Sequence, residues 1–359
     1  MKIETIGTAK VIVHNPESFH NYFAWPTVAR LQNGKIAVVC SGYRVGHICP
    51  FGKAVISYSE DEGETYTKPA PVIDTLLDDR DSGIVTFGDK GVLVTSFNIN
   101  WNCYLKGGYE KWYHPYEQYV AAYVDMVTDE QVEKLSASRF SISQDGGMTF
   151  SREYKAPVMS PHGPTVLKDG TILWVGTNYQ FKEDNVISAY RLHLDGTTEY
   201  LGRVADTWDG AQKLDFCEPH AIELDDGTIL CQIRTHTPEY MTLYQTESKD
   251  GGRTWTKPHR VLETDRSAPA HLLKTSTGML VSAYGYRGDP AGIRLMFSSD
   301  NGATWDRENI LFETEGSADL GYPSTIELDD GTFLTVFYAH VEEDGPALIL
   351  QQKWEIAQE

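Results

Sequence analysis

The sequence predicts an all-β protein, a six-bladed β-propeller of four-stranded antiparallel blades. Two repeats carry that prediction. Six times the chain runs through an apolar stretch, a tight turn ending in glycine, and a second apolar stretch. The turn glycines are Gly34, Gly91, Gly170, Gly227, Gly278 and Gly331, at intervals of roughly 50 to 80 residues. Four intervening stretches carry Ser-x-Asp-x-Gly-x-Thr-aromatic, beginning at Ser59, Ser143, Ser248 and Ser298 and ending at Tyr66, Phe150, Trp255 and Trp305. In an all-β pattern, a long period of this kind means sheets arrayed around a central axis, each covering its neighbour's apolar face.

The blades follow in chain order. The innermost strands open with Phe23-Ala24-Trp25-Pro26, Asp81-Ser82-Gly83, Pro161-His162-Gly163-Pro164, Glu218-Pro219-His220, Ala268-Pro269-Ala270-His271 and Tyr322-Pro323-Ser324. Each leads through an Asp-Gly-like hairpin turn into a second strand. Proline near the strand start fits a position that donates nothing to the ladder. In the second repeat, Asp caps the backbone donors of a turn, Gly takes a positive φ, and the aromatic reaches beneath the neighbouring blade. Blade three has only a degenerate copy at Asp195-Gly196. A strand over residues 8–14 lies outside the six units and is expected to pair with 347–354, closing the ring. Helical periodicity is scarce, with one good candidate at Asp129–Leu135, capped by Thr128. An insertion in blade two, about residues 98–138, carries Trp101, Trp112, Tyr113, Tyr116 and Tyr119. It reads as a pocket wall or as an edge or subunit-covering patch. The whole chain, 1–359, reads as one propeller domain.

A net charge of −20 argues against nucleic acid and anionic membrane surfaces as partners. No apolar run approaches membrane-spanning length. The N-terminus, Met1-Lys2-Ile3-Glu4-Thr5, lacks the apolar segment of a secretory signal, so a cytoplasmic location is expected. Five cysteines without a CxxC pair point to free thiols rather than disulfides or zinc. Inner strands converge on the axis, so the residues that open them are candidates for a site. Glu218 and Tyr322 stand at equivalent positions relative to their turn glycines and should both face the axis. His162, His220 and His271 open three successive inner strands and read as sugar-hydroxyl ligands or buried structural histidines ahead of a metal site. No metal or cofactor is expected.

The two repeats and these strand openings resemble the sialidase (neuraminidase) superfamily with its Asp-box repeats, over essentially the whole chain. The resemblance implies an exo-acting glycoside hydrolase that cleaves a terminal sialic acid or related acidic sugar. In that family a Glu opens an inner strand, an Arg follows about fifteen residues later, and a Tyr opens the last blade. Glu218, Arg234 and Tyr322 match. The resemblance makes Tyr322 the nucleophile and Glu218 its base. A neutral phenol can attack an anomeric carbon whose own carboxylate would repel a carboxylate nucleophile. Arg287, with Arg294 in reserve, matches a further substrate-binding Arg.

The chain also departs from the family. Where sialidases have Phe/Tyr-Arg-Ile-Pro, this chain reads Phe23-Ala24-Trp25-Pro26, so the first Arg is absent and either Arg44 or Arg80 replaces it or the substrate is a different acidic sugar. The interval that holds the family's acid/base Asp has no carboxylate here, offering Arg44 and His47. Asp81 matches another pocket Asp. The acid is Asp81, Asp79 or His47. A glycosidase or sugar-acid lyase with Asp81 and His47 in acid/base roles, or a carbohydrate-binding propeller without catalysis, remain alternatives.

Overall fold

The structure, a computed structural model, describes every residue except 107, 109, 180–185, 207, 210–211, 238–240, 265, 343 and 358–359, and only the backbone at 208, 209, 212 and 308. Six antiparallel blades surround an axis. Blade one runs outward through Tyr22–Arg30, Ile36–Arg44, Lys53–Ser59 and Ala70–Ile73. Blades four and five repeat that order, from Phe216–Glu223 and from Ser267–Lys274. In blades two and three the innermost strand is split in two. The sixth blade holds Gly321–Glu327, Phe333–His340 and Ala347–Ile356, and its outermost strand is the N-terminal Ile3–Val13. The expected closure is present, with Val11 opposite Leu350 and Thr5 opposite Trp354.

The apolar core is divided among the junctions between blades. Val28, Ile36 and Val38 of blade one meet Leu334 and Val336 of blade six. Leu31, Val39 and Ile56 meet Val92 and Val94 across the next junction, and four further clusters fill the others. Alternating strand residues therefore bury both faces of each blade.

The Asp boxes pin these junctions from outside. In the box at Ser248, the Ser248 hydroxyl accepts from Gly252 N at 3.0 Å and donates to Asp250 at 2.9 Å. Asp250 accepts from Thr254 N at 2.8 Å and Thr254 Oγ1 at 2.6 Å, which holds its carboxyl at about 2. Gly252 has φ 89°, and a Cβ there would approach Leu173 of blade three. The other boxes lean the same way. Gln245 of blade four donates to the Gly302 carbonyl at 3.0 Å and accepts from Trp305 Nε1 at 2.9 Å. Gln351 of blade six does the same for Gly63 and Tyr66, both at 2.8 Å. Each box thus docks its aromatic and glycine on the preceding blade.

The predicted helix is Asp129–Leu135, with Thr128 and Gln131 forming a reciprocal cap. The insertion contains further helix that periodicity did not reveal. Glu117–Val124 has no side-chain cap and is held by burying Val120 and Val124 against Val45, Cys49 and Leu77. Among the described residues no helix is long and apolar enough to cross a membrane. The five cysteines are free thiols.

Ser248→Ala removes the acceptor of a buried Gly252 N–H. It should cost about 1–3 kcal/mol, seen as a lower urea midpoint with an unchanged m value.

Candidate active site

Four innermost strands share a defect that builds the site. Between Ala24 and Thr27, Cys217 and His220, Ser267 and Ala270, and Gly321 and Ser324, the register slips so that two residues oppose one. The extra pair in each case is X-Pro: Trp25-Pro26, Glu218-Pro219, Ala268-Pro269 and Tyr322-Pro323. Proline has no N–H to waste at a bulge, and it bars its predecessor from the right-handed helical region. Trp25, Glu218 and Tyr322 take φ of 57°, 53° and 51° instead. Asp81, in the break of blade two's inner strand, has φ 35°. Non-glycine residues held there cost on the order of 1–3 kcal/mol each. The bulges turn these side chains out of the sheet plane toward the axis.

They meet in a cavity of about 400 Å³, lined also by His47, Arg80, Phe97, Ile99, Asp215, Arg234, His236 and Arg287. On one side the Tyr322 hydroxyl donates to Glu218 Oε1 at 2.5 Å, and Arg234 Nη1 donates to Glu218 Oε2 at 2.7 Å. Burial, then the Glu218 charge, hold the Tyr322 phenol well above its ordinary range. Burial also works against the Glu218 carboxylate. Arg234 and the Tyr322 hydroxyl outweigh it and keep Glu218 ionised. The pair is a neutral phenol hydrogen-bonded to a charged base.

On the other side the Arg80 guanidinium lies over the Trp25 indole, its Cζ 3.9 Å from the ring centre. Arg80 Nη1 donates to the His47 carbonyl at 2.9 Å, and Nε stands 3.8 Å from Asp81 Oδ1. Burial raises the Asp81 carboxyl to about 7 against the pull of Arg80, with Glu218 reinforcing the rise. Its Oδ1 is buried without a hydrogen-bond partner. His47 Nδ1 lies 2.9 Å from Asp319 Oδ1. Asp319 also accepts from Tyr22 at 2.7 Å and Tyr338 at 2.9 Å, and it faces His340 Nε2 at 3.2 Å. Arg287 donates from Nε and Nη2 to the Leu320 carbonyl at 3.1 and 3.0 Å and from Nη2 to Tyr338 at 3.0 Å.

The cavity thus gathers Tyr322, Glu218, Asp81, His47, Arg234, Arg287, Arg80 and Trp25. Arg44 does not line it. Fully buried, it forks onto Asp78 and donates to the Gly46, His47 and Cys49 carbonyls. Asp79 is buried away from the cavity among Thr75, Asn98 and Arg139. Arg294 is occupied by Glu313 and the Pro290 and Phe312 carbonyls. His162, His220 and His271 do not line the cavity either. Their rings pack together 4.5 to 5.6 Å apart, and His220 and His271 Nδ1 accept from the Leu272 and Thr325 amides. Among the described residues no cluster suits a metal ion. The insertion contributes Ile99 to the lining and packs Trp112 on His47 at 4.9 Å, while its helices cover the loop at residues 44–50. Sequence reasoning missed Asp319 and His236. The signal for Asp319 was an acidic residue three positions before Tyr322.

Residues 113–335, well over half the chain, match the BNR repeat-like domain family. The chain belongs to that family. With the six blades and their boxes it is a six-bladed BNR-repeat propeller. Solved structures agree in fold. A Dyadobacter fermentans protein of unknown function superposes with TM-score 0.76 at 23% identity, covering 99% of both chains. The NanB sialidase of Streptococcus pneumoniae gives TM-score 0.67 at 14% identity, covering 98% of this chain and 71% of its own. The Trypanosoma rangeli sialidase in complex with sialic acid gives 0.62 at 14%, covering 99% and 57%. No curated protein matches the chain. Within this BNR propeller, the bulged strands present a strained, partly charged constellation on a rigid ring, the setting in which acid/base and nucleophilic groups are poised.

The raised Asp81 carboxyl has a consequence for stability. Unfolded, it titrates near 3.9. Between there and about 7 the folded chain holds the extra proton, so stability falls as pH rises through that window. Asp81→Asn should raise the melting temperature at pH 8 and change it little at pH 4.

Proposed function

We propose that this BNR propeller is an exo-acting glycoside hydrolase that removes a terminal acidic sugar, sialic acid being the first candidate. The observation that carries the reading is the neutral Tyr322 phenol donating to the ionised Glu218 inside a cavity that also holds three guanidinium groups. A carboxylated sugar would seat its acid against Arg287, Arg80 and the edge of Arg234. Tyr322 Oη attacks the anomeric carbon while its proton passes to Glu218, avoiding the repulsion a carboxylate nucleophile would meet. Asp81, protonated near neutral pH, gives its proton to the departing oxygen. Water then cleaves the tyrosyl glycoside.

Trp25 favours a second reading of the substrate. Ala24 stands where the resemblance expects an Arg, and the neighbouring Trp25 indole shelves Arg80 instead. That shift of charge between neighbouring blades suits an acidic sugar other than sialic acid, such as a uronic acid.

Purified protein assayed with a fluorogenic α-sialoside beside aryl uronides and neutral glycosides should turn over an acidic substrate. Silence on every acidic glycoside would remove the hydrolase reading in favour of lyase chemistry or simple binding. Tyr322→Phe should lower kcat at least about 10³-fold while the product sugar still binds in calorimetry. Arg80→Met should raise KM for the acidic substrate about 10- to 100-fold. An unchanged KM would move the carboxylate elsewhere.

A further inference from the structure

His47 and the carboxylate behind it have no task in the steps above, yet they are the most elaborately held groups in the cavity. The loop carrying His47 is clamped from two sides, since Arg44 Nη2 donates to the His47 carbonyl at 3.0 Å and Arg80 Nη1 to the same oxygen at 2.9 Å. Its ring is clamped as well. The Trp25 indole meets it edge-on at 5.1 Å, and Trp112 of the insertion packs on it at 4.9 Å. Nδ1 faces Asp319 at 2.9 Å, with the Tyr22 hydroxyl oxygen 3.1 Å away. Asp319 in turn is fixed by Tyr22, Tyr338 and His340.

This geometry sets the tautomer. An ionised carboxylate can only accept, so the proton of a neutral imidazole sits on Nδ1 and the lone pair on Nε2. A base oriented by a third group, in a cavity already holding a nucleophile, is the arrangement that activates water. We propose that His47 Nε2 is the general base that activates the water resolving the Tyr322-bound sugar, with Asp319 as its positioning residue. The proposal rests on the glycosidase reading.

The step balances as follows. Water oxygen attacks the anomeric carbon and the bond from that carbon to Tyr322 Oη breaks. His47 Nε2 takes the proton from water, and the Tyr322 phenolate recovers its own from Glu218. The imidazolium then returns a proton through solvent to the Asp81 carboxylate left by the first step. The protonation states suit this division of labour. Burial lowers the His47 pKa below its ordinary value, opposed by Asp319 and reinforced by Arg80 and Arg287. The remaining neighbours are the neutral Tyr22, and Lys111 over the Trp112 ring at 5.0 Å. At neutral pH the ring is therefore mostly a free base, while Asp81, raised to about 7, is protonated in about half of the molecules.

The test uses full-length protein with 4-methylumbelliferyl α-sialoside, or the uronide if the wild type prefers it. His47→Ala and His47→Gln should release one equivalent of fluorophore in a burst and then turn over about 10²- to 10⁴-fold more slowly. The sugar should remain on the Tyr322 peptide by mass spectrometry, and azide should restore turnover. Asp319→Asn should act in the same direction and shift the acidic limb of the kcat profile, which a merely structural carboxylate would not do. Wild-type turnover in the His47 variants would overturn the proposal. So would lost turnover without an adduct or azide rescue when the near-ultraviolet dichroism is native. Adduct accumulation in Asp81→Asn alone would overturn it too, assigning the water to Asp81. A wild type silent on every acidic glycoside would sink the hydrolase reading itself, an outcome distinct from all of these.

Discussion

Packing six separate sheets face to face around an axis covers their apolar faces, and it forces six inner strands to begin within one small volume. A regular strand would alternate its side chains between its two faces, burying them in the junctions on either side. The X-Pro bulges break that alternation, and they do so where the strands converge. What results is a polar site at the centre of an otherwise apolar construction. Its backbone strain is sustained by six junction clusters that would have to separate before any one strand could relax.

The charge distribution follows from the same convergence. The chain carries a net −20, yet three arginines line the cavity, equal in number to its carboxylates Asp81, Asp215 and Glu218. Behind them stands a buried scaffold of ion pairs, Arg44 with Asp78 and Arg139 with Asp79. Such pairs do little for net stability. Their effect is to fix the short strand Asp79–Arg80, so that Arg80 rests on Trp25 and Asp81 projects beside it. Within the run Asp78-Asp79-Arg80-Asp81, alternate residues have opposite fates. Asp79 is committed to the scaffold and Asp81 to the cavity.

That run shows where sequence reasoning reached its limit. The propeller was legible because its signals are local and repeated: turn glycines, Asp boxes, strand openings. Tyr322, Glu218 and Arg234 were legible because they hold fixed positions relative to those signals, and their mutual contacts now stand at 2.5 to 3.5 Å. The choice between Arg44 and Arg80 was not legible, since it depends on Arg44 forking onto Asp78 across thirty-four positions of chain, while Arg80, which touches Asp78 only at 3.4 Å, lies over Trp25 in the cavity. Asp319 was missed for a related reason. Its partners Tyr22, His47, Tyr338 and His340 lie on opposite ends of the chain, brought together only by ring closure. The histidines that open the inner strands of blades three, four and five read as sugar ligands or structural groups, and strand position alone did not reveal that their rings would pack on one another away from the cavity.

The lean of each Asp box on the preceding blade gives the molecule a direction in time. As the chain leaves the ribosome, the boxes of blades two, four and five find their docking partners, Leu31, Leu173 and Leu230, already made. The box of blade one does not, because Leu334 and Gln351 belong to blade six, the last blade of the ring to be made. Blade one therefore waits with its flank uncovered until blade six has been made, and the N-terminal strand waits with it for residues 347–356. Vectorial assembly proceeds blade by blade, with one long-range event at the end. The interval before that event is when an unfinished ring is open to aggregation or to a chaperone.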